Sequence, residues 1–103
     1  MAKRFDQQVV WITGGGSGIG RALAVEFARE GAAVAVSGRR EDRLAEAVQA
    51  IEAAGGVGLA VRCDVTDEAS VAEAVQTVVR ELGGLDVAVA LVAAGPGAEH
   101  HQQ

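Results

Sequence analysis

Short runs of consecutive apolar residues alternate along this chain with longer stretches in which apolar residues recur every three or four positions. Consecutive apolar residues are typical of strands buried on both faces, and the longer spacing is typical of amphipathic helices. The apolar runs lie at residues 8–12, 32–37, 57–63 and 86–93. The pattern therefore predicts four strands of one covered sheet.

Three helices are predicted between the strands. The first covers residues 17–30 and ends at Gly31, because glycine commonly follows the last turn of a helix. Its apolar face is predicted to consist of Ile19, Leu23 and Phe27. The apolar face of the second helix is predicted to consist of Leu44, Ala47, Val48 and Ile51. The third helix is expected to begin at Thr66, whose hydroxyl can cap free N–H groups of the first turn. Its apolar stripe is predicted to consist of Val71, Val75, Val78 and Leu82. The order β-α-β-α-β-α-β is typical of a parallel α/β sheet with helices on both faces.

Composition narrows the class of protein. The 103 residues are 50% hydrophobic but only 3% aromatic, so alanine, valine and leucine must fill the core, and marginal stability is expected. The formal net charge is -5 and no basic stripe is visible, so no nucleic-acid partner is expected. No run approaches the roughly 18 apolar residues of a membrane span, and Cys63 is the single cysteine. We expect a cytoplasmic protein with no membrane partner and no metal site.

The most informative segment lies between the first strand and the first helix, where five glycines fall within residues 14–20. Glycines let the backbone turn sharply and approach a phosphate closely, and the following helix N-terminus offers free N–H groups and a partial positive charge. The segment therefore predicts a loop that binds the phosphates of a nucleotide. A glycine-rich turn without a ligand stays open as the alternative.

The spacing of these glycines excludes two common phosphate-binding motifs. A G-x-G-x-x-G fingerprint fails in every register, because Ile19 or Arg21 stands in the place of the last glycine. A P-loop would need a lysine and a Ser/Thr where this chain has Arg21 and Ala22. The pattern that does match is T-G-x-x-x-G-x-G, formed by Thr13, Gly14, Gly18 and Gly20.

This pattern resembles the cofactor loop of the short-chain dehydrogenase/reductase family. The resemblance implies an NAD(P)-dependent oxidoreductase with a partial Rossmann fold, a four-stranded parallel sheet of order 3-2-1-4 with three helices. The loop residues that it implies as cofactor contacts are Gly14, Gly16, Ser17, Gly18, Ile19 and Gly20. In this order the fourth strand is an edge of the sheet, and its lack of charge favours self-association through that edge.

The end of the second strand bears on which dinucleotide binds. Family members that select NAD carry an acidic residue there, whereas this chain has Ser-Gly-Arg-Arg at residues 37–40. A guanidinium can bind a 2′-phosphate through two parallel hydrogen bonds, so Arg39 and Arg40 favour NADP, with NAD as the alternative cofactor. Two arginines that are simply solvated at the start of the helix remain the other interpretation.

Asp64 and Val65 follow the third strand and resemble an Asp-Val pair of the same family. The resemblance implies that the aspartate contacts the adenine amino group. A role of Asp64 as a cap of the next helix stays open. Cys63 beside them is expected to be a small buried hydrophobe.

The resemblance weakens beyond the fourth strand. The family's Asn-Asn-Ala-Gly is replaced by Val-Ala-Ala-Gly at residues 92–95, and residues 96–103 match nothing in the family. We therefore expect a dinucleotide-binding half domain over residues 1–95 and a flexible tail over residues 96–103. His100 and His101 are then tail residues rather than metal ligands.

The family's catalytic residues have no counterpart here. Its members use a serine and a Tyr-x-x-x-Lys motif, in which the tyrosine acts as general acid or base. This chain has no tyrosine and its only lysine is Lys3, so no catalytic residue is predicted. We expect the cofactor-binding half of an oxidoreductase, truncated and inactive alone. A non-catalytic nucleotide-binding module that works with a partner chain, and a ligand-free interaction domain, are the alternatives.

Overall fold

The computed structural model describes residues 5–91. The elements are β1 (Val9–Thr13), α1 (Gly18–Arg29), β2 (Ala33–Gly38), α2 (Glu41–Ala53), β3 (Val57–Arg62), α3 (Glu68–Leu82) and β4 (Val87–Ala90). The predicted alternation is confirmed. The predicted boundary at residue 95 and the predicted tail with its two histidines lie outside the described residues. Within residues 5–91, no helix combines the length and the apolar character that crossing a membrane requires.

The four strands form one parallel sheet of order β3-β2-β1-β4, which confirms the predicted fold class. The central strand β1 pairs with β2 on one side and with β4 on the other, so that Thr13 lies level with Ser37 and with Ala90. Because all strands run in the same direction, their carboxyl ends meet at one edge of the sheet. The glycine loop leaves β1 at this edge.

Two apolar clusters lie on opposite faces of the sheet. The buried residues on the face covered by α1 and α2 are Val10, Ile12, Ala24, Ala28, Ala32, Val34, Val36, Leu44, Ala47 and Ile51. Those on the face covered by α3 are Val9, Trp11, Ala35, Val61, Cys63, Ala74 and Val78. Successive residues of β1 therefore belong to alternate clusters, as the pleat of a strand requires. Cys63 is buried among apolar residues, as predicted.

The buried face of α1 differs from the prediction. Its buried residues are Gly20, Ala24 and Ala28, whereas Ile19 is 71% exposed. The predicted Leu23 and Phe27 are only partly buried at the margin of the cluster. Small side chains let α1 lie close to the sheet, and a Cβ at Gly20 would overlap the loop backbone. The buried face of α1 is therefore shifted by one residue from the face that was predicted from the larger side chains.

The start of α3 also differs from the prediction. Asp67, rather than Thr66, is the N-cap, and its carboxylate accepts hydrogen bonds from the N–H groups of Ala69 at 3.0 Å and Ser70 at 3.5 Å. A carboxylate at this position also interacts favourably with the positive end of the helix dipole. Thr66 instead donates its hydroxyl to Asp64. The predicted N-cap was therefore wrong by one residue.

The edge strand β4 covers Val87–Ala90, and Asp86 ties its start to β1. Residues 92 and 93 of the predicted run lie outside the described residues. The backbone N–H of Asp86 donates to the carbonyl of Val9 at 2.9 Å, and its carboxylate accepts from the N–H of Val9 at 2.8 Å. In the part of the chain that the structure describes, no strand lies on the outer side of β4.

Candidate functional site

The glycine loop between β1 and α1 is held by the backbone of β2. The N–H groups of Gly14 and Gly15 donate to the carbonyl oxygen of Ser37 at 2.8 and 3.1 Å. Gly14 has a φ of 80°, a left-handed conformation that glycine adopts without strain. The loop therefore folds across the carboxyl ends of both β1 and β2.

Ser17 closes this loop on itself. Its hydroxyl donates to the carbonyl of Gly14 at 2.8 Å and accepts from the N–H of Gly20 at 2.9 Å. Ser17 is thus the N-cap of α1, and the bond to Gly20 satisfies one of the free N–H groups of the first turn. Ser17 was predicted as a cofactor contact, but its side chain forms hydrogen bonds within the loop. These bonds fix the direction in which α1 begins.

The glycines of the loop serve two different purposes. A Cβ at Gly20 would overlap the carbonyl of Gly14, and a Cβ at Gly15 would lie 2.6 Å from the Cβ of Val36, so packing requires glycine at both positions. A Cβ at Gly18, by contrast, would meet no described atom within 4 Å. The protein itself does not need glycine there, and the open space lies over the first turn of α1, where an anion is favoured.

Two exposed apolar side chains lie at the same edge of the sheet. Ile19, in the first turn of α1, is 71% exposed, and Val65, which follows β3, is 60% exposed. A branched apolar side chain is stabilised when the apolar part of a ligand covers it. These two residues therefore suit contact with the ring systems of a ligand.

Asp64 lies just beyond the carboxyl end of β3. Its Oδ1 accepts from the hydroxyl of Thr66 at 2.6 Å and from the N–H of Thr66 at 2.9 Å. These bonds, the hydroxyl foremost, hold the pKa of Asp64 below its ordinary value, and the charge of Arg39 adds to the effect. Among residues 5–91, Oδ2 has no hydrogen-bond partner. Because Asp67 caps α3, the interpretation of Asp64 as the cap was wrong.

The two arginines after β2 differ in their contacts. The Nη2 atom of Arg40 lies 3.3 Å from Oδ2 of Asp42, in an exposed ion pair. Arg39 makes no ion pair or side-chain hydrogen bond with residues 5–91, although its charge reaches Asp64. Of the two predicted arginines, Arg39 therefore has the guanidinium that is available to a ligand.

One arginine at this edge was missed by the sequence interpretation. Arg43 is the third residue of α2, and a Cβ at Gly16 would lie 2.9 Å from the Cβ of Arg43. The first turn of α2 therefore contacts the loop directly. The spacing along the sequence gave no signal for this contact, because Arg39 precedes the N-cap Arg40 and does not share a helix with Arg43.

The predicted residues thus meet at the carboxyl edge of the sheet, each contributed by a connection that follows β1, β2 or β3. An apolar cavity of about 390 Å³ adjoins this edge and is lined by Trp11, Thr13 and Val65, among others. A larger cavity of about 520 Å³ lies at the opposite edge, against Gly31 and Gly55, far from these residues. Within residues 5–91, no group of three or more histidine, cysteine or acidic side chains could hold a metal ion.

Comparison with known proteins adds independent findings. The family model described as short chain dehydrogenase matches residues 8–103. The chain is 45% identical to a 3beta-hydroxysteroid dehydrogenase of Mediterraneibacter gnavus over 86 residues. This aligned segment covers 84% of this chain and 31% of that protein. A crystal structure of a hydroxysteroid dehydrogenase from Escherichia coli is similar with a TM-score of 0.85 at 32% identity, covering 96% of this chain and 45% of the other. The structure of an NAD+-bound xylitol dehydrogenase has a TM-score of 0.81 at 35% identity, covering 84% of this chain and 33% of the other. This chain spans less than half the length of each of these proteins.

Proposed function

The chain belongs to the short-chain dehydrogenase family, and on that premise we propose that it binds the adenosine half of a nicotinamide dinucleotide, NADP in preference to NAD. The observation that carries this proposal is the meeting of three features at the carboxyl edge of one parallel sheet: an open glycine loop, an ionised Asp64, and an Arg39 that has no ion-pair partner within residues 5–91. Open α/β sheets bind nucleotides at this edge.

The described residues fit the phosphates of such a cofactor. The first turn of α1 presents backbone N–H groups and the positive end of the helix dipole. The space above Gly18 would be filled by any larger residue, and it admits a pyrophosphate to those N–H groups. Ser17 holds the turn in this arrangement through its bonds to Gly14 and Gly20.

The adenosine end is matched by the residues that follow β2 and β3. The unpaired oxygen of Asp64 can accept a hydrogen bond from the adenine amino group, and exposed Val65 can cover the ring. Gly38 ends β2 and Arg39 follows it, so neither residue offers a carboxylate that could accept a hydrogen bond from a ribose 2′-hydroxyl. A guanidinium instead favours a 2′-phosphate, and this favours NADP.

The reaction class follows from the family, and NADP supplies hydride transfer when it is bound. The 103 residues contain no tyrosine, and their only lysine is Lys3. We therefore assign them cofactor binding without turnover, and oxidation or reduction of an alcohol or carbonyl substrate needs an acid–base group from elsewhere. The cytoplasmic location inferred from the sequence stays a prediction.

Calorimetric titration with 2′,5′-ADP and 5′-AMP tests the proposal. Because only half of a dinucleotide is held, we expect a Kd near 1 mM for 2′,5′-ADP, about -4 kcal/mol, and weaker binding of 5′-AMP. Arg39→Asp should reverse this preference, since a carboxylate repels the 2′-phosphate. Equal affinity of the unmodified chain for both ligands would remove Arg39 as the selector, and no binding of either would overturn the proposal.

A second candidate function, association with another chain, is favoured by the open side of β4. Ala88 and Ala90 are exposed, and the backbone of β4 pairs with β1 on one side only within residues 5–91. An unpaired strand edge is a template for pairing with a further strand. This function is compatible with cofactor binding, because the edge and the glycine loop do not share residues.

A further inference from the structure

The arginines of this chain are unequally paired. Residues 5–91 contain seven arginines, and five of them lie within ion-pair distance of a carboxylate. The pairs are Arg21–Glu46, Arg29–Glu26, Arg40–Asp42, Arg62–Glu41 and Arg80–Glu81. The two that have no carboxylate partner among these residues are Arg39 and Arg43, and both flank the glycine loop.

Arg43 reaches the loop through its contact with Gly16. A Cβ at Gly16 would lie 2.9 Å from the Cβ of Arg43 and 3.9 Å from its Cα, so no side chain can separate the loop from α2 at this point. The side chain of Arg43 is exposed, and it starts beside the loop backbone. Its guanidinium is therefore tethered close to the loop without being held by another group of the described chain.

We propose that Arg43 is a second specificity-determining residue, whose guanidinium binds the 2′-phosphate of NADP together with Arg39. This inference rests on the proposed function above. A phosphate monoester carries close to two negative charges at neutral pH and offers three acceptor oxygens. One guanidinium binds two of those oxygens at most. A second guanidinium on the other side of the phosphate therefore adds positive charge and a hydrogen bond to the remaining oxygen.

The charges around the start of α2 favour this assignment. Glu41 and Asp42 lie next to Arg43, but each faces its own arginine, Arg62 and Arg40 respectively. Their negative charge is thereby partly offset. The first turn of α2 also has no side-chain cap from its N-cap residue, so the positive end of its dipole adds to the potential.

The position of Arg43 favours the 2′-phosphate, rather than the pyrophosphate, as the group that it binds. The pyrophosphate is assigned to the first turn of α1, above Gly18, where the loop is open. Arg43 is the third residue of α2 and follows Arg39 by four positions, and Arg39 itself precedes the N-cap Arg40. The proposed position of the 2′-phosphate is between the two arginines, on the side of the loop where Arg43 contacts Gly16.

The test compares three ligands, 2′,5′-ADP, 5′-ADP and 5′-AMP, by calorimetry on the full chain. Arg43→Gln should weaken binding of 2′,5′-ADP about tenfold while leaving 5′-ADP, which has a pyrophosphate but no 2′-phosphate, within about twofold. Arg43→Lys should recover part of the loss, because a lysine keeps the charge without the planar fork. Arg80→Gln is the matched control, since it removes the same charge from the far end of α3 and should change neither affinity.

The possible results separate this inference from the proposed function. Equal weakening of 5′-ADP and 2′,5′-ADP by Arg43→Gln would place Arg43 on the 5′-phosphate that both ligands share and overturn the inference. Loss of 2′,5′-ADP affinity in Arg39→Gln but not in Arg43→Gln would also overturn it, with the proposed function intact. Failure of the unmodified chain to bind any of the three ligands would reject both.

A measurement without any variant gives a second readout. The side-chain Nε–H resonances of Arg39 and Arg43 should both shift when 2′,5′-ADP is added to the unmodified chain, and that of Arg80 should not. With 5′-ADP the resonance of Arg43 should move far less. A shift at Arg39 that is unaccompanied by one at Arg43 contradicts the proposed role, whatever the variants do to folding.

Discussion

The indole N–H of Trp11 donates to the hydroxyl oxygen of Ser37 at 2.8 Å, between the two central strands β1 and β2. Both residues are buried. The backbone carbonyl of Ser37 also accepts the N–H groups of Gly14 and Gly15. A single residue of β2 thus satisfies a buried indole on one face of the sheet and holds the glycine loop at its edge.

Removal of the Ser37 hydroxyl should destabilise the fold. In Ser37→Ala the buried indole N–H of Trp11 loses its acceptor, which costs about 1–3 kcal/mol. Urea unfolding followed by circular dichroism measures the loss. Trp11→Phe combined with Ser37→Ala should lose less than the sum of the two single variants, because neither polar group then remains unpaired. Full stability of Ser37→Ala would show that this hydrogen bond contributes nothing.

Two glycine variants should separate folding from binding. Gly20→Ala forces a Cβ into the carbonyl of Gly14, so we expect a clear fall in melting temperature. Gly18→Ala places its Cβ in open space, so its melting temperature should stay close to that of the unmodified chain while affinity for 5′-ADP falls by about tenfold. Thermal melts and calorimetry check the pair. Unchanged 5′-ADP affinity in Gly18→Ala would reject the loop as the pyrophosphate site.

The pH dependence of binding should come from the ligand rather than from Asp64. Hydrogen bonds from Thr66 hold the pKa of Asp64 below its ordinary value of 3.8. The contribution of the Asp64 charge to binding is therefore fully present at pH values above 3.8. It is lost only as the pH falls through the lower pKa that Asp64 has in the folded protein. A phosphate monoester, by contrast, loses charge near pH 6.

Affinity for NADP should consequently fall about threefold to fourfold between about pH 7.5 and pH 5.5, while affinity for NAD stays constant. Calorimetry at the two pH values measures both. NAD has no 2′-phosphate and serves as the internal control. A parallel fall in affinity for NAD would mean that a group of the protein titrates in this range.

The open side of β4 should promote self-association at micromolar concentration. Val87 and Val89 pack against the core, whereas Ala88 is exposed, so Ala88→Lys adds a charge to the edge without disturbing the interior. Sedimentation should show less association for Ala88→Lys than for the unmodified chain. Ala45→Lys, at an exposed position of α2, controls for added charge. A monomeric unmodified chain would reject this interface.

The sequence was sufficient for the order of the elements, because continuous apolar runs and helical spacing are properties of local segments. The strand order came from the resemblance, and the observed pairing confirms it. The rotation of α1 was predicted wrongly because the larger Ile19 and Leu23 were taken as its buried face. The close approach of Gly20 to Gly14, which selects small residues there, is a tertiary contact that spacing does not reveal.

Two further contacts depend on residues that are distant along the chain. Asp86 binds the backbone of Val9 across 77 residues, and no local pattern marks that aspartate as a strand anchor. Arg43 meets Gly16 only because α2 packs beside the loop. The sequence could therefore predict the residues that directly follow the strands, but not the residue that the next helix brings to them.

The most direct test of dinucleotide binding at this edge of the sheet is an amide chemical-shift map of the unmodified chain titrated with 2′,5′-ADP. We predict that the largest changes fall in residues 14–20 and at Arg39, Asp64 and Val65. Changes concentrated around Gly31 and Gly55, at the cavity of about 520 Å³, or no changes at all, would contradict it.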